Sequence, residues 1–170
     1  MSMQIKFTNY KEGLHKFVFE TDVEELGLKD KFVGNVLLNC EMDKSSTQIV
    51  LNCNLKIAAK QVCDRCTAES EELIETDFKS IYFLTSNRDN DGEDESGINY
   101  LSSDDDKIDL SDDTIENALL TVPMKVLCKE DCKGLCSICG INKNEKECNC
   151  VTDTSNPVWE KLLKLKGKLN

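Results

Sequence analysis

Cysteine spacing constrains this chain more than any other feature. Cys128-x3-Cys132-x3-Cys136-x2-Cys139-x8-Cys148-x-Cys150 places six cysteines within 23 residues. Zinc is held by four ligands in a tetrahedron with Zn–S bonds of about 2.3 Å. A C-x2-C step supplies two of them from one tight turn. Gly140, directly after Cys139, allows the positive φ that such a turn requires. The spacing therefore predicts one zinc site on Cys136, Cys139, Cys148 and Cys150.

The remaining paired cysteines make a second quartet. Cys63 and Cys66 form another C-x2-C, and Cys128 and Cys132 form a C-x3-C. A site on Cys63, Cys66, Cys128 and Cys132 closes a long loop, where a cross-link removes most entropy from the unfolded chain. The spacing leaves swapped pairings open. Cys63-Asp64-Arg65-Cys66 also has a redox reading, because Arg65 is placed to lower a thiol pKa. No βαβ pattern surrounds it, and six more paired cysteines need a role. Cys40 and Cys53 fall on apolar strand faces, where cysteine acts as a small hydrophobe, so they are left out of both sites.

Upstream, the pattern is that of β structure. Met3, Ile5 and Phe7, then Phe17 and Phe19, alternate with polar residues. Val36, Leu38, Cys40 and Met42 share one parity; Ile49, Leu51, Cys53, Leu55 and Ile57 share the other. These two runs predict a hairpin with a loop of about six residues, Leu38 facing Cys53 and Cys40 facing Leu51. Ala58 to Cys66 is expected to leave it. Ile74, Thr76, Phe78, Tyr82 and Leu84 predict a further strand. The stretch 86–107 is dominated by acidic and small polar residues and is expected to be a solvated, flexible loop. Ser111 is expected to cap a helix that ends before Pro123, with Ile115, Ala118, Leu119 and Val122 on its apolar face. Asn156-Pro157 predicts the start of a last helix, with Val158, Trp159, Leu162 and Leu165 on one face. No internal repeat is visible.

The chain has 170 residues and a formal net charge of −11. The charge sits in one segment: residues 67–113 carry sixteen acidic and three basic groups, whereas residues 114–170 carry nine basic and seven acidic. Lys161, Lys164, Lys166 and Lys168 suit a helix C-terminus and solubility, or RNA. Thiolates bound to zinc offset the slight positive balance of this half, which argues against a strong nonspecific nucleic-acid binder. Without a secretory leader or a membrane-length apolar run, the expected compartment is the cytoplasm, where structural disulfides are rare and metal is the usual reason for many cysteines. His15 is the only histidine, and no Ser-His-Asp or Cys-His arrangement is apparent. Gly-rich phosphate loops are missing, and a four-cysteine zinc site has no open coordination position. No catalytic residue is assigned, and no small-molecule substrate is expected.

Residues 62–66 (Val-Cys-Asp-Arg-Cys), the acidic loop, Ile108-Asp109-Leu110, the helix before Pro123, and the run Cys128-x3-Cys132-x-Gly134-Leu135-Cys136-x2-Cys139-Gly140 together resemble the YceD family over nearly the whole chain. The family commonly has Asn-Leu-Asn where this chain has Asn142-Lys143-Asn144, and Asp-Pro-Arg where it has Asn156-Pro157-Val158. The resemblance implies a role in accumulation of 23S ribosomal RNA and large-subunit biogenesis, without enzymatic activity. The expected partners are a ribosomal precursor particle, rRNA or a ribosomal protein.

The reading is an α+β fold. It comprises a mainly antiparallel β region over 1–85 with the C-x2-C, the acidic loop over 86–107, and a helical, zinc-binding region over 108–170 that forms one cooperative unit with 1–85. It binds one or two zinc ions and acts without catalysis. The rival functions are a zinc-ribbon-like adaptor for protein partners, and a thiol-redox or metal-responsive protein.

Overall fold

The computed structural model describes residues 3–85 and 99–150. Most of the 86–107 loop and the whole expected last helix lie outside the described residues. Strands are β1 (Gln4–Ile5), β2 (Gly13–Asp22), β3 (Phe32–Lys44), β4 (Gln48–Val62), β5 (Glu69–Leu84), β6 (Asn99–Leu101) and β7 (Ile108–Asp109); the helix is α1 (Ser111–Thr121). The chain divides into two compact units, 1–61 with 69–124, and 62–68 with 125–170.

The first unit is built on a five-stranded sheet in the order β2-β3-β4-β5-β6, beside a small β1-β7 pair. Alternation decides which side chains go inside. Val36, Leu38, Cys40 and Met42 of β3, and Ile49, Leu51, Cys53, Leu55 and Ile57 of β4, are all buried. Each such aliphatic side chain contributes about 1.5–3 kcal/mol on burial. Met3, Ile5 and Phe7 join this core, although Phe7 lies in a 3-10 turn after the short β1.

The hairpin departs from the expected register by two residues. Cys40 faces Cys53 and Leu38 faces Leu55. A slip of two keeps every side chain on its face, so the apolar pattern could not detect it. The turn sets the register. Ser45 N–H and Oγ both donate to the Gln48 carbonyl, and Gln48 N–H donates back to Ser45 Oγ, so the loop is shorter than six. A register shift between Val33 and Leu37, beside Gly34 at φ +73°, puts the far end back in the expected step, with Phe32 facing Ala59.

The register makes Cys40 and Cys53 direct neighbours, with Cα atoms 4.1 Å apart, and they form a disulfide. The expectation of two independent small hydrophobes is corrected accordingly, and the pair is an exception to the rarity of structural disulfides in the expected compartment. Strand β4 also continues to Val62 rather than ending near Ala58. β6 falls within the expected loop, and its Asn99, Tyr100 and Leu101 pair in parallel with Tyr82, Phe83 and Leu84 at the end of β5.

α1 ends before Pro123 as its sequence predicts, but it begins one residue earlier than a Ser111 cap implies, and its buried face differs. Leu110, not Ser111, is the N-cap residue; Asp109 Oδ1 accepts Ser111 N–H, and Thr114 Oγ1 donates to the Leu110 carbonyl. Thr114 and Ala118 are buried and Ile115 and Val122 partly so, whereas Leu119 is 40% exposed. The hydroxyl of Thr114 is paid for locally, and that lets a polar residue occupy the centre of the packed face. Asp113 in the first turn accepts hydrogen bonds from Ser80 Oγ (2.7 Å) and Tyr82 Oη (3.3 Å) of β5. The fold is thus mostly β-sheet with one described helix and a cysteine unit; of the helices expected in the C-terminal half, α1 alone falls among the described residues.

Candidate metal centres

The described residues of the second unit have little regular structure, and two turns of the same design organise them. In Cys63-Asp64-Arg65-Cys66-Thr67-Ala68, Cys63 N–H donates to the Ala68 carbonyl and Thr67 N–H to the Cys63 carbonyl, each at 2.9 Å. In Cys136-Ser137-Ile138-Cys139-Gly140-Ile141, Cys136 N–H donates to Ile141 at 2.8 Å and Gly140 N–H to Cys136 at 2.9 Å. The residue after the second cysteine has positive φ in both, +56° at Thr67 and +71° at Gly140. This is a local structural repeat that the sequence pattern does not show, because only the two cysteines of each turn coincide.

The middle residues of the first turn gather the rest of the unit. Asp64 N–H donates to the Val126 carbonyl and Asp64 Oδ2 accepts Val126 N–H, at 2.9 and 2.8 Å. Those bonds set Cys128 beside the turn. Arg65 Nη1 donates to the Cys132 carbonyl and the Arg65 carbonyl accepts Leu135 N–H, both at 2.9 Å. Arg65 therefore braces backbone, rather than standing as the charge beside a redox thiol. Gly134, at φ +69°, lies against it so closely that a Cβ there would meet the Arg65 carbonyl oxygen at 2.9 Å.

These struts bring Cys63, Cys66, Cys128 and Cys132 into one group and Cys136, Cys139, Cys148 and Cys150 into another, with all sulfurs of each group within 4.8 Å of one another. Cys63 Sγ lies 3.8 Å from Cys132 Sγ, and Cys66 Sγ 3.5 Å from Cys128 Sγ. Bonds of about 2.3 Å to a tetrahedral ion imply sulfur–sulfur edges of about 3.8 Å, so the spacing fits a metal. Cys63, Cys66 and Cys132 are buried with Ala68 and Leu127 packed on them; Cys136 is buried, Cys148 and Cys150 half-buried, and Cys128 and Cys139 exposed.

The thiols within each group differ in acidity. Backbone hydrogen bonds from Cys128 and Cys66 lower Cys63 to about 6. Those from Cys139 and Ile138 do the same for Cys136, also to about 6. Burial opposes ionisation of Cys132, but the Asn144 amide and the Gly134 backbone outweigh it and hold this thiol low. Conversely, the Cys66 and Cys132 sulfurs push Cys128 up to about 12, and the Cys139 sulfur pushes Cys150 up to about 12. One or two thiols of each group ionise readily, and full ionisation of all four calls for a cation among them.

Sequence reasoning missed Thr67 as part of this unit, and it missed the contacts that Gly134 and Asn144 make within it. The asparagines were visible in the Asn-x-Asn that this chain shares with the YceD pattern. The partners of Asn144 at Cys132 and Lys133 were not, because they lie in another segment.

A sheet unit interleaved in sequence with a cysteine unit that carries two four-cysteine groups, each able to hold a metal ion, defines the class of protein. The chain belongs to the YceD family: residues 51–166 match the family described as large ribosomal RNA subunit accumulation protein YceD. That span contains all eight grouped cysteines. No curated protein and no solved structure matches the chain. Among the described residues no helix is long and apolar enough to cross a membrane.

Proposed function

We propose that this protein is a non-catalytic, cytoplasmic factor of large ribosomal subunit biogenesis that supports accumulation of 23S rRNA, its second unit being held together by two zinc ions. The observation that carries the reading is the family match over residues 51–166. The ligand assignment is Cys136, Cys139, Cys148 and Cys150 for one ion, and Cys63, Cys66, Cys128 and Cys132 for the other; the mutual spacing of their sulfurs supports it. Thiolate ligands favour zinc or iron, and a four-thiolate shell leaves no position for a reacting water, which supports a structural role. The ions would offset half of the thiolate charge and tie the turns; the chain's own N–H groups orient the sulfurs. The proposed partner is a precursor particle, through its rRNA or a ribosomal protein.

The test is sedimentation of the tagged protein on a gradient, with 23S rRNA measured in a clean deletion strain. Co-migration with precursor large subunits and a fall in 23S rRNA are expected. Unchanged 23S rRNA in the deletion strain would refute the reading.

A second reading, an adaptor for protein partners outside the ribosome, is favoured by Leu135, Ile138 and Ile141, which are 38%, 58% and 37% exposed around the second turn. Affinity capture that returns one stoichiometric protein and neither rRNA nor ribosomal proteins would support it instead.

A further inference from the structure

Asn144 belongs to the stretch between Cys139 and Cys148, yet its side chain serves the other group of cysteines. Asn144 Nδ2 donates to Cys132 Sγ at 3.3 Å and to Asn142 Oδ1 at 2.8 Å, so both amide hydrogens are engaged. Its Oδ1 accepts Lys133 N–H at 2.9 Å. A backbone N–H can only donate, so this bond determines which end of the amide faces the sulfur. Asn142 completes the arrangement: its Oδ1 also accepts Asn144 N–H at 3.1 Å, and its Nδ2 donates to Glu145 at 2.8 Å.

The turn that presents Asn144 is tied to the second group of cysteines. Lys143 N–H donates to the Gly134 carbonyl at 2.9 Å, and Glu145 and Lys146 N–H both donate to the Asn142 carbonyl at 3.1 Å. Cys136 and Cys139 precede the turn, and Cys148 and Cys150 follow it. An ion held by those four cysteines would anchor the segment at both ends. An amide donor on a ligand sulfur stabilises the ionised form that binds metal, and it orients the ligand.

We propose that Asn144 is a positioning residue for the centre formed by Cys63, Cys66, Cys128 and Cys132, and that through it this centre gains affinity when the centre formed by Cys136, Cys139, Cys148 and Cys150 is filled. The inference rests on reading both groups as metal centres. Linkage makes the effect reciprocal, so filling either centre tightens the other. The expected behaviour is cooperative uptake of two ions.

The test is zinc titration of the reduced full chain against a chromophoric chelator. The variants are Asn144→Ala, Asn144→Asp, the pair Cys139→Ser/Cys150→Ser, and that pair combined with Asn144→Ala. The wild type is expected to take up two ions. Asn144→Ala still takes up two, one of them about tenfold to a hundredfold more weakly, the range for losing an outer-shell partner. Asn144→Asp keeps the acceptor for Lys133 but turns a carboxylate oxygen towards the thiolate, so it weakens the same ion at least as much. With the second centre disabled by the serine pair, the remaining ion binds more weakly than in the wild type, and Asn144→Ala costs less than in the full chain. Both zinc affinities unchanged within twofold in Asn144→Ala would overturn the positioning role. An equal cost of Asn144→Ala in both backgrounds would overturn the coupling. A wild-type chain that takes up no zinc overturns the metal reading itself, and is thereby distinguished from one that takes up two while Asn144 is inert.

Discussion

Replacing Gly134 by alanine tests the architecture of the cysteine unit. The residue stands at φ +69°, and its missing Cβ would lie 2.9 Å from the Arg65 carbonyl oxygen and 3.3 Å from Arg65 Cβ. The left-handed conformation costs an L-residue about 1–2 kcal/mol. Relieving the contact moves a carbonyl that is already accepting Leu135 N–H at 2.9 Å, and overpacking of this kind adds about 1–3 kcal/mol. Gly140→Ala is the control. Gly140 has nearly the same φ, +71°, but nothing within 4 Å of its would-be Cβ, so it carries the conformational cost alone. Both variants would be unfolded in urea with zinc present and followed by the amide NMR signals of residues 125–150. Gly134→Ala should lose about 2–5 kcal/mol and Gly140→Ala about 1–2. Equal losses would show that the close approach of Gly134 to Arg65 has no energetic weight, and would refute the bracing role given to Arg65.

Other outcomes follow from the two units. Thr67, a β-branched residue at φ +56°, occupies the position that Gly140 holds in the other turn; Thr67→Gly should raise the stability of the cysteine unit by about 1 kcal/mol in the same urea assay. The Cys40–Cys53 disulfide closes a separation of 13 residues, so its removal as Cys40→Ala/Cys53→Ala should destabilise the sheet unit by about 2–4 kcal/mol in thermal melts, and alkylation without reductant should leave both thiols unlabelled. Asp113→Ala removes the acceptor for Ser80 and Tyr82 and a carboxylate from the first turn of α1, with an expected loss of about 1–3 kcal/mol in the same melts. Burial, and then the Asp113 charge, push the Tyr82 hydroxyl upward. The unfolded chain loses this proton first, so the stability it confers is full below about pH 10 and falls as pH rises past it; Tyr82→Phe should flatten that fall.

Much of the sheet was legible because burial alternates with strand parity, and a period of 2 survives even where pairing is misread. Register was not legible for the same reason: Cys40 opposite Leu51 and Cys40 opposite Cys53 present one identical apolar face. The side chain of Ser45 decided between them, through hydrogen bonds that hydropathy does not register. In α1 the apolar spacing pointed to Leu119, while the packed face turns on Thr114, whose hydroxyl is satisfied by its own helix. In the cysteine unit the spacing separated the sulfurs into pairs. How those pairs meet depends on Asp64 and Arg65, whose partners lie some sixty residues downstream. Such long-range backbone contacts leave no periodic trace.

The interleaving of the two units orders events in time as the chain is made. Cys66, the later of the first pair, leaves the exit tunnel 62 residues ahead of Cys128, the earlier of its partners. At about 5–20 residues per second, that is an interval of roughly 3–12 s. Strands β5, β6 and β7 and the whole of α1 are synthesised within it, β1 to β4 having come before. The sheet unit thus has its complete sequence while the first thiol pair still waits as half a site. Capture of an ion by this group would have to await Cys128 and Cys132, and a nascent chain would spend those seconds with two reactive thiols and no second pair to share an ion with.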